Sequence, residues 1–375
     1  MQSPSSPLGV NVVGFVSARL GLGVAARASI EALVACGVRV SVVDLQLPDG
    51  RSGFDQSWAH LNVSTVEAIP HPVNLVHVNP PEAEGVWHSA PAIFAGRRNY
   101  AVPFFELAEM PQQWYAHLSR YDAVLAPSEH IAGAARNAVA VPVRHYPIAV
   151  DASKISAIDR SAFGIPAGAF AFAATWDTDS GLNRKNGIGA LRAFANAFAD
   201  RDDVVLVLKT NGNARHMELE REIAGMPRGR VIVVDRYLSY PDVLGLYATC
   251  DAFVSLHRAE GLGLGLLEAM SLGKPVVTTG WSGNMDFMDD ASAALVRYTF
   301  SPVLDTQAVY SPANFARTQF WAEPDLMHAS TIMRRVVDDA PYRSAIGAAG
   351  RERACLRRDT FFGGGAADVI RHLTV

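Results

Sequence analysis

The stretch that decides the fold is Ser255-Leu-His-Arg-Ala-Glu260-Gly-Leu-Gly-Leu-Gly-Leu-Leu-Glu268-Ala-Met-Ser-Leu-Gly273-Lys-Pro-Val-Val277. It follows a short apolar strand, passes through a loop with three alternating glycines, continues as a helical segment and turns at Gly273 into a second apolar strand. A strand, a crossover helix and a second strand form one unit of a parallel sheet. The order therefore predicts a parallel α/β sheet in this part of the chain.

The glycine loop of this stretch predicts a site for a phosphate group. Glycines have no Cβ, so the backbone of the loop can approach a ligand closely. The helix that begins near Leu264 offers N–H groups and the positive end of its dipole, which favour a diphosphate. The predicted ligand-binding loop consists of Gly261, Leu262, Gly263, Leu264 and Gly265.

Two carboxylates flank the loop. Glu260 precedes it, and Glu268 lies about one turn inside the helix. Because carboxylate oxygens accept strong hydrogen bonds, the pair suits hydroxyl groups at the two ends of a ligand whose phosphates lie between them. The alternative is a glycine turn that only packs a helix on a sheet, with both glutamates solvated.

The same alternation of β-branched runs and alanine-rich helical stretches continues along the chain. It lapses around 147–155 and then restarts, which predicts two Rossmann-like α/β domains, 1–150 and 151–350, and a helical tail over 351–375. Packing of the tail on the first domain is left open. Predicted strands span 10–15, 38–44, 73–78, 121–126, 141–146, 170–175, 204–209, 231–235, 252–256 and 275–279. Predicted helices span 23–36, 187–199 and 327–357, another is capped by Ser128, and 293–324 is unassigned.

The composition excludes several classes of function. A chain of 375 residues with a net charge of -4 has no global attraction for nucleic acid. Three scattered cysteines are too few for a disulfide framework or a zinc site. We see no signal peptide and no apolar run of the ~20 residues that span a bilayer. A cytoplasmic protein is predicted, and peripheral contact with the inner face of a membrane stays open.

The deciding stretch resembles the donor-site motif of retaining glycosyltransferases of the glycogen synthase and bacterial α-mannosyltransferase type, the group 1 family. Further segments that resemble this family are Gly21–Gly23, Phe105–Leu107 with Pro111 and Trp114, Ala126–Glu129, Asn183–Asn186, Ser282–Asp286 and Trp321–Asp325. The resemblance implies the B-type fold, in which two Rossmann-like domains face each other across a cleft. It also implies transfer of a hexose from a nucleotide diphosphate sugar, with retention of configuration, without a metal and without a further cofactor.

The resemblance assigns roles to individual residues. It implies that Glu260, Lys185 and Arg184 are catalytic, the two cations by neutralising the departing diphosphate. Residues expected to bind the donor, besides the loop, are Glu268, Gly21, Gly23, Lys209 and Asn284; Glu106 and His77 are expected on the acceptor side. Mannose from GDP-mannose is the expected donor sugar, and the expected acceptor is a hydroxyl of a growing bacterial polysaccharide, a lipopolysaccharide or another lipid-linked glycan. The oligomeric state is open.

The sequence departs from the family at two places. Leu262 stands where the family usually has an aromatic residue. The loop 176–180 lacks an arginine that many members carry there, which leaves Arg184 and Lys185 as the main phosphate-binding cations.

Other interpretations remain. Asp177-Thr-Asp179 spells the metal-binding pattern of the other large glycosyltransferase class, although aspartates that cap a helix-entry loop are the favoured interpretation. Gly21-Leu-Gly23, with Ala26 in the third glycine position and Asp44 ending the next strand, is compatible with an NAD-dependent oxidoreductase. A non-catalytic relative that binds a sugar nucleotide is the third alternative.

Overall fold

The computed structural model describes residues 8–176, 182–211, 217–226, 229–305 and 309–374. The chain forms two compact units. The first consists of residues 1–150, 313–317 and 357–375, and the second of residues 151–312 and 318–356. Each unit has its own parallel six-stranded sheet.

The sheet of the first unit has the strand order β2-β1-β3-β4-β5-β6, with all pairs parallel. Its strands are β1 (Gly9–Gly14), β2 (Arg39–Asp44), β3 (Val73–His77), β4 (Arg98–Ala101), β5 (Ala123–Ala126) and β6 (Val143–His145). The chain leaves β1 toward β2 and then returns to pair β3 on the other side of β1. The carboxyl ends of β1 and β3 therefore flank a topological switch point, where Gly14 lies opposite His77.

The sheet of the second unit has the order β12-β11-β10-β7-β8-β9 and is also parallel. Its strands are β7 (Phe170–Thr175), β8 (Val204–Thr210), β9 (Val231–Asp235), β10 (Ala252–Ser255), β11 (Val276–Thr279) and β12 (Ala294–Val296). Here the switch point lies between β7 and β10. An antiparallel hairpin of β13 (Tyr298–Pro302) and β14 (Phe320–Pro324) follows the sheet.

Helices cover the faces of both sheets, which explains why the central strands are continuous apolar runs. The helices are α1 (Gly21–Ala35), α2 (Pro80–Ser89), α3 (Gln112–Leu118), α4 (Glu129–Arg136), α5 (Leu182–Lys185), α6 (Gly187–Ala197), α7 (Met217–Ala224), α8 (Tyr240–Thr249), α9 (Leu264–Ser271), α10 (Leu326–Asp338), α11 (Ala340–Thr360) and α12 (Ala366–Thr374). Every residue of β8 is buried. Polar side chains with a function are therefore confined to the strand ends.

The structure corrects several predicted elements. The sequence pattern places Asn183–Asn186 at the opening of the helix predicted over 187–199, but α5 is a separate turn and Asn186 adopts a left-handed conformation before α6. The helix predicted over 327–357 is two helices that break at Asp339. Strand β4 and helices α2 and α3 were not predicted, and the unassigned 293–324 region contains β12 and the hairpin. The Ser128 cap is confirmed, since its hydroxyl accepts a hydrogen bond from the Ile131 amide.

The C-terminal segment packs within the first unit. The π-helical turn at Phe361–Gly365 and α12 both contact α1. Arg357 donates hydrogen bonds to the carbonyl oxygens of Ile148 and Pro127, each at 2.9 Å. In the parts of the chain that the structure describes, no helix is long and apolar enough to cross a membrane.

Candidate active site

The charged residues of the second unit collect at its switch point. The loop 256–263 follows β10, and α5 follows β7 after residues 177–181, which lie outside the described residues. Because β7 and β10 are neighbours in the sheet, their following loops lie side by side. Crevices at the carboxyl ends of such strands are where open α/β sheets bind ligands.

Asn186 fixes the position of the basic turn. Its φ of 50° is left-handed, a conformation that asparagine tolerates better than most residues. Its side-chain oxygen caps α6 by accepting a hydrogen bond from the Gly189 amide at 3.2 Å, and its Nδ2 donates to the Leu256 carbonyl at 2.8 Å. The asparagine thus joins α5, α6 and the loop after β10.

Two cations meet one carboxylate at this junction. The Lys185 ammonium lies 2.5 Å from Oε1 of Glu260, and an Nη1 of Arg184 lies 3.3 Å from the same oxygen. Arg184 is buried and also donates to the Ala259 carbonyl at 2.9 Å. Lys185 keeps a quarter of its side chain exposed, so it is the cation that a ligand can reach.

This environment determines the ionisation of Glu260. Burial alone would raise the pKa of its carboxyl, but the charges of Lys185 and Arg184 and the hydrogen bond from Lys185 outweigh burial and lower that pKa to about 2. Glu260 is therefore a carboxylate at every physiological pH. The cluster of Glu260, Lys185 and Arg184 therefore carries one net positive charge.

The glycine loop is held by a second loop, the one after β11. The Glu260 amide donates to the Ser282 hydroxyl at 2.8 Å, and the Gly283 amide donates to the Glu260 carbonyl at 2.9 Å. A Cβ on Gly283 would lie 1.9 Å from the Gly261 carbonyl oxygen, so the two backbones touch. Gly263 has a φ of 89° and is the N-cap of α9, where no side chain caps the helix. The first amides of α9 thus point toward a potential anion.

Gly265 does not need to be glycine on steric grounds. A Cβ there would only make ordinary contacts with Phe253 and Tyr247. A role of Gly265 in close approach to a ligand stays a prediction.

Glu268 lies in a different environment from Glu260. It is buried in α9, and burial raises the pKa of its carboxyl to about 7, although a hydrogen bond with Tyr240 and the charge of Lys185 partly oppose the rise. At neutral pH Glu260 is therefore a carboxylate and Glu268 is partly protonated, because Glu260 has two close cations and burial dominates at Glu268.

His257 connects the loops after β10 and β11. Its Nε2 lies 3.2 Å from the Trp281 carbonyl and 3.2 Å from Oδ1 of Asn284, and its Nδ1 lies 3.2 Å from the Ser255 hydroxyl. Both neighbours of Nε2 are acceptors, so the proton resides on Nε2. Burial lowers the pKa of His257. We therefore assign it as a neutral ring that orients the loops.

Other predicted site residues of the second unit are occupied by structural contacts. Leu262 is buried, and Asn284 is buried with its Nδ2 donating to the Thr279 carbonyl at 3.2 Å. The Lys209 ammonium donates hydrogen bonds to the Thr210 carbonyl at 2.8 Å and to Oδ1 of Asn211 at 2.6 Å. These residues shape the loops at the strand ends, and a donor-binding role for them stays a prediction.

The remaining predicted residues belong to the first unit. Gly21 opens α1, and a Cβ on Gly23 would lie 2.6 Å from the Ala18 carbonyl oxygen, so glycine is required for the tight entry into that helix. His77 is fully buried at the end of β3. The carbonyl of Glu106 lies 2.9 Å from Nε2 of His130.

Of the two alternative motifs, one lies outside the described residues and the other ends in a structural contact. Asp177 and Asp179 lie outside the described residues, and the described ranges contain no group of three metal-ligating side chains. Asp44 accepts a hydrogen bond from the Ser17 amide at 3.0 Å through one oxygen and from Gln46 through the other. Asp44 therefore serves the local structure of the loop after β1.

Sequence reasoning missed the role of Arg258. Its guanidinium binds Glu323 of β14 through two hydrogen bonds of 2.5 and 3.0 Å and donates to the Asn183 carbonyl at 2.5 Å. It thereby braces the basic turn against the hairpin. The sequence signal was the resemblance of the Trp321–Asp325 segment to the family, but the sequence does not show that Glu323 contacts Arg258.

Comparison with known proteins bears on this site. Residues 178–304 match the family described as Glycosyl transferases group 1. A search among curated proteins gives no match. The matched segment contains the basic turn, the glycine loop, α9 and the loop after β11.

Solved structures resemble the whole chain. Anabaena HepE in complex with UDP and glucose is 14% identical over 97% of this chain and 100% of that one, with a TM-score of 0.68. Sucrose-phosphate synthase from Thermosynechococcus elongatus is 15% identical over 98% and 99%, with a TM-score of 0.65. A glycosyltransferase from Rickettsia africae is 11% identical over 99% of both chains, with a TM-score of 0.67. At these identities the likeness shows the fold, which is that of two Rossmann-like units.

Proposed function

We propose that this chain, whose residues 178–304 match the group 1 glycosyltransferase family, transfers a hexose from a nucleotide diphosphate sugar to a hydroxyl of a glycan. The observation that carries the proposal is the position of the positive charges. Lys185 and Arg184 meet Glu260 directly beside the uncapped N-terminus of α9. A diphosphate is the ligand that complements both features.

We assign the chemistry to electrostatic stabilisation of the leaving group. The bond from the anomeric carbon to the diphosphate oxygen breaks, the acceptor hydroxyl oxygen bonds to that carbon, and the hydroxyl proton passes to the departing diphosphate. The negative charge that develops on the diphosphate faces Lys185, Arg184 and the first amides of α9. Preorganised charges of this kind are the largest contribution in many enzymes, because they need no reorganisation during the reaction. Glu260 holds Lys185 in place and is assigned to the sugar end of the donor.

The finer specificity belongs to the same proposal. Retention of configuration and independence of a metal and of any further cofactor follow from the family resemblance. Mannose from GDP-mannose remains the preferred donor from the sequence, while the HepE structures hold UDP, UDP and glucose, or UDP-glucose. The panel of donors below therefore includes both bases. A growing bacterial glycan as acceptor and a cytoplasmic location are proposed with it.

A donor panel tests the proposal. Thermal melts and product formation are recorded with UDP-, GDP-, dTDP- and ADP-sugars, their bare diphosphates and NAD. We expect one nucleotide diphosphate family to raise the melting temperature, as any ligand of the folded state does, and turnover to persist in EDTA. Stabilisation by NAD alone would overturn the proposal. Loss of turnover in EDTA that manganese restores would overturn metal independence.

The two glutamates give a sharper test of the site. Glu268→Gln should weaken binding of the bare nucleoside diphosphate, because we assign Glu268 to the ribose. Glu260→Gln should not weaken binding of the bare diphosphate, since the substitution removes a negative charge that competes for Lys185. The same substitution should lower turnover of the full donor by about one to two powers of ten. Calorimetry with the bare diphosphate and with the intact donor separates the two effects. Equal losses of diphosphate affinity would contradict this assignment.

A further inference from the structure

We propose that the hairpin of β13 and β14 carries a binding subsite for the sugar rings of the acceptor. This inference rests on the proposed function and extends it from the donor to the acceptor. The subsite, called here the apolar hairpin face, consists of Tyr298, Phe300, Pro302, Phe320, Ala322 and Pro324.

The strand register places these six side chains on one face. Phe300 lies opposite Ala322, and the pairs on either side of it are Tyr298–Pro324 and Pro302–Phe320, two residues away along each strand. Residues that are directly opposite in an antiparallel pair point to the same side, and alternate residues share a face. This face contains no charged side chain.

The opposite face of the hairpin is the one attached to the rest of the unit. It carries Glu323, which binds Arg258 through two hydrogen bonds, and the buried Trp321, whose ring lies 5.5 Å from the Arg258 guanidinium. A two-stranded sheet normally buries its apolar face and solvates its polar one. Here the apolar face is buried only in part, because Ala322 and Pro324 are buried whereas Phe300 and Phe320 stay 53% and 47% exposed.

The apolar hairpin face is continuous with the candidate active site. The Trp281 ring lies 4.7 Å from the Phe300 ring and 5.7 Å from the Tyr298 ring. The Trp281 carbonyl contacts His257, and Ser282 accepts the hydrogen bond from the Glu260 amide. Three aromatic rings therefore extend from the loop that holds Glu260 to the hairpin.

The size and surroundings of the face select a glycan over other occupants. Strands of five residues span about 17 Å, and two strands of about 5 Å width each make the face about 10 Å wide, so it covers roughly 170 Å². A stable dimer needs about 800 Å² from each partner. The charges that border the face are paired within the unit, Arg297 with Asp325 and Arg258 with Glu323, so no surplus of positive charge attracts an anionic membrane.

Sugar rings are the remaining candidate occupants, and their chemistry matches the apolar hairpin face. Their C–H bonds carry partial positive charge and pack against the negative face of an aromatic ring, while their hydroxyl groups stay in water. The exposed rings of Phe300 and Phe320, beside a site that transfers a sugar, provide such a surface. The apolar hairpin face therefore selects acceptors with at least one sugar ring next to the reacting hydroxyl.

The test compares Phe300→Ala and Phe320→Ala with Met327→Ala, which removes an exposed apolar side chain of α10. The full chain is applied to an array of mannose-, glucose- and rhamnose-containing oligosaccharides, in the presence of whichever nucleoside diphosphate stabilises it. We expect both phenylalanine variants to bind glycans about three- to tenfold more weakly. Met327→Ala should match the wild type, and diphosphate affinity should stay unchanged in all three.

Each other result overturns the inference. Wild-type protein that binds the diphosphate but no glycan on the array, or phenylalanine variants that match Met327→Ala, would remove the subsite and leave the proposed function standing. Flotation with phosphatidylglycerol vesicles that Phe300→Ala abolishes would assign the face to a membrane. A dimer in sedimentation that the same variant dissociates would assign it to a second copy. Wild-type protein that binds no nucleoside diphosphate would remove the proposed function, and the subsite with it.

Discussion

The strand order of each sheet reverses at a switch point, but the side chains at the two switch points differ in charge. In the first unit the switch point lies between β1 and β3, where Gly14 faces the uncharged His77. In the second it lies between β7 and β10, where Arg184, Lys185 and Glu260 form an ion cluster. The fold provides a crevice at both positions. The side chains at the strand ends decide which of the two suits an anion.

A pair of buried histidines shows the difference most clearly. Burial lowers the pKa of both rings, that of His77 to about 3. His257 has hydrogen-bonding contacts at both nitrogens. Neither nitrogen of His77 has a hydrogen-bond partner among the described residues. The second switch point is thus internally connected to hold charges in place, whereas the first presents a neutral ring without such a network.

The largest expected effect is loss of the exposed cation of the second switch point. Lys185→Ala should lower kcat by about 10²–10³, because its charge counts most when the departing diphosphate becomes fully anionic. Steady-state kinetics with the donor found in the panel measures it. Arg192→Ala is the control, since Arg192 pairs with Glu222 on the exposed side of α6. If both variants turn over like the wild type, the ion cluster is only structural.

The response of the first unit sharpens this result. The two residues of the first unit that we assigned to the donor, Gly21 and Gly23, carry no charge. A substitution on that side should therefore not reproduce the loss of kcat seen with Lys185→Ala.

The sequence predicted the second switch point better than the first for a physical reason. The glycine loop, Glu260 and Glu268 are contiguous, and a local pattern of strand, loop and helix determines where they lie. The Asn186–Leu256 and Arg258–Glu323 hydrogen bonds join residues 70 and 65 positions apart, and only the tertiary fold shows which polar groups meet. Strand β4 and the hairpin were missed because Arg98–Ala101 and Tyr298–Pro302 are only four and five residues long.

A smaller effect is expected from the pH dependence of Glu268. Between its ordinary pKa of 4.5 and its folded value of about 7, the folded protein holds a proton that the unfolded chain has lost. The free energy of unfolding therefore falls as pH rises through this window. Glu268→Gln removes the loss, so its melting temperature should equal that of the wild type near pH 4.5 and exceed it at pH 8.

Ligand binding at Glu268 should show the opposite trend. If ribose hydroxyls donate to its carboxylate, the affinity for the nucleoside diphosphate should rise about tenfold from pH 6 to pH 8. Part of any rise comes from the phosphate itself, which ionises near pH 6. Glu268→Gln retains that part only, so calorimetry on both proteins isolates the carboxyl. Parallel pH profiles for the two would mean that Glu268 does not contact the ligand as a carboxylate.

The smallest effect, and the most direct test of the comparison, is the same substitution at the two histidines. His257→Gln should lower the free energy of unfolding by about 1 kcal/mol, because a glutamine amide cannot serve both Ser255 on one side and Trp281 with Asn284 on the other. His77→Gln should change it by less than half as much, since no hydrogen bond to the described residues is lost. Urea unfolding at pH 7, where both rings are neutral, measures the two values without a contribution from titration.

Activity adds a second readout, since we predict His77 on the acceptor side. A fall in turnover of His77→Gln at unchanged stability and unchanged diphosphate affinity would support that role, because a ring kept buried without a partner has unused hydrogen-bonding capacity for a ligand. Equal loss of stability at both positions would show that the two switch points are connected alike, and the contrast between them would fail.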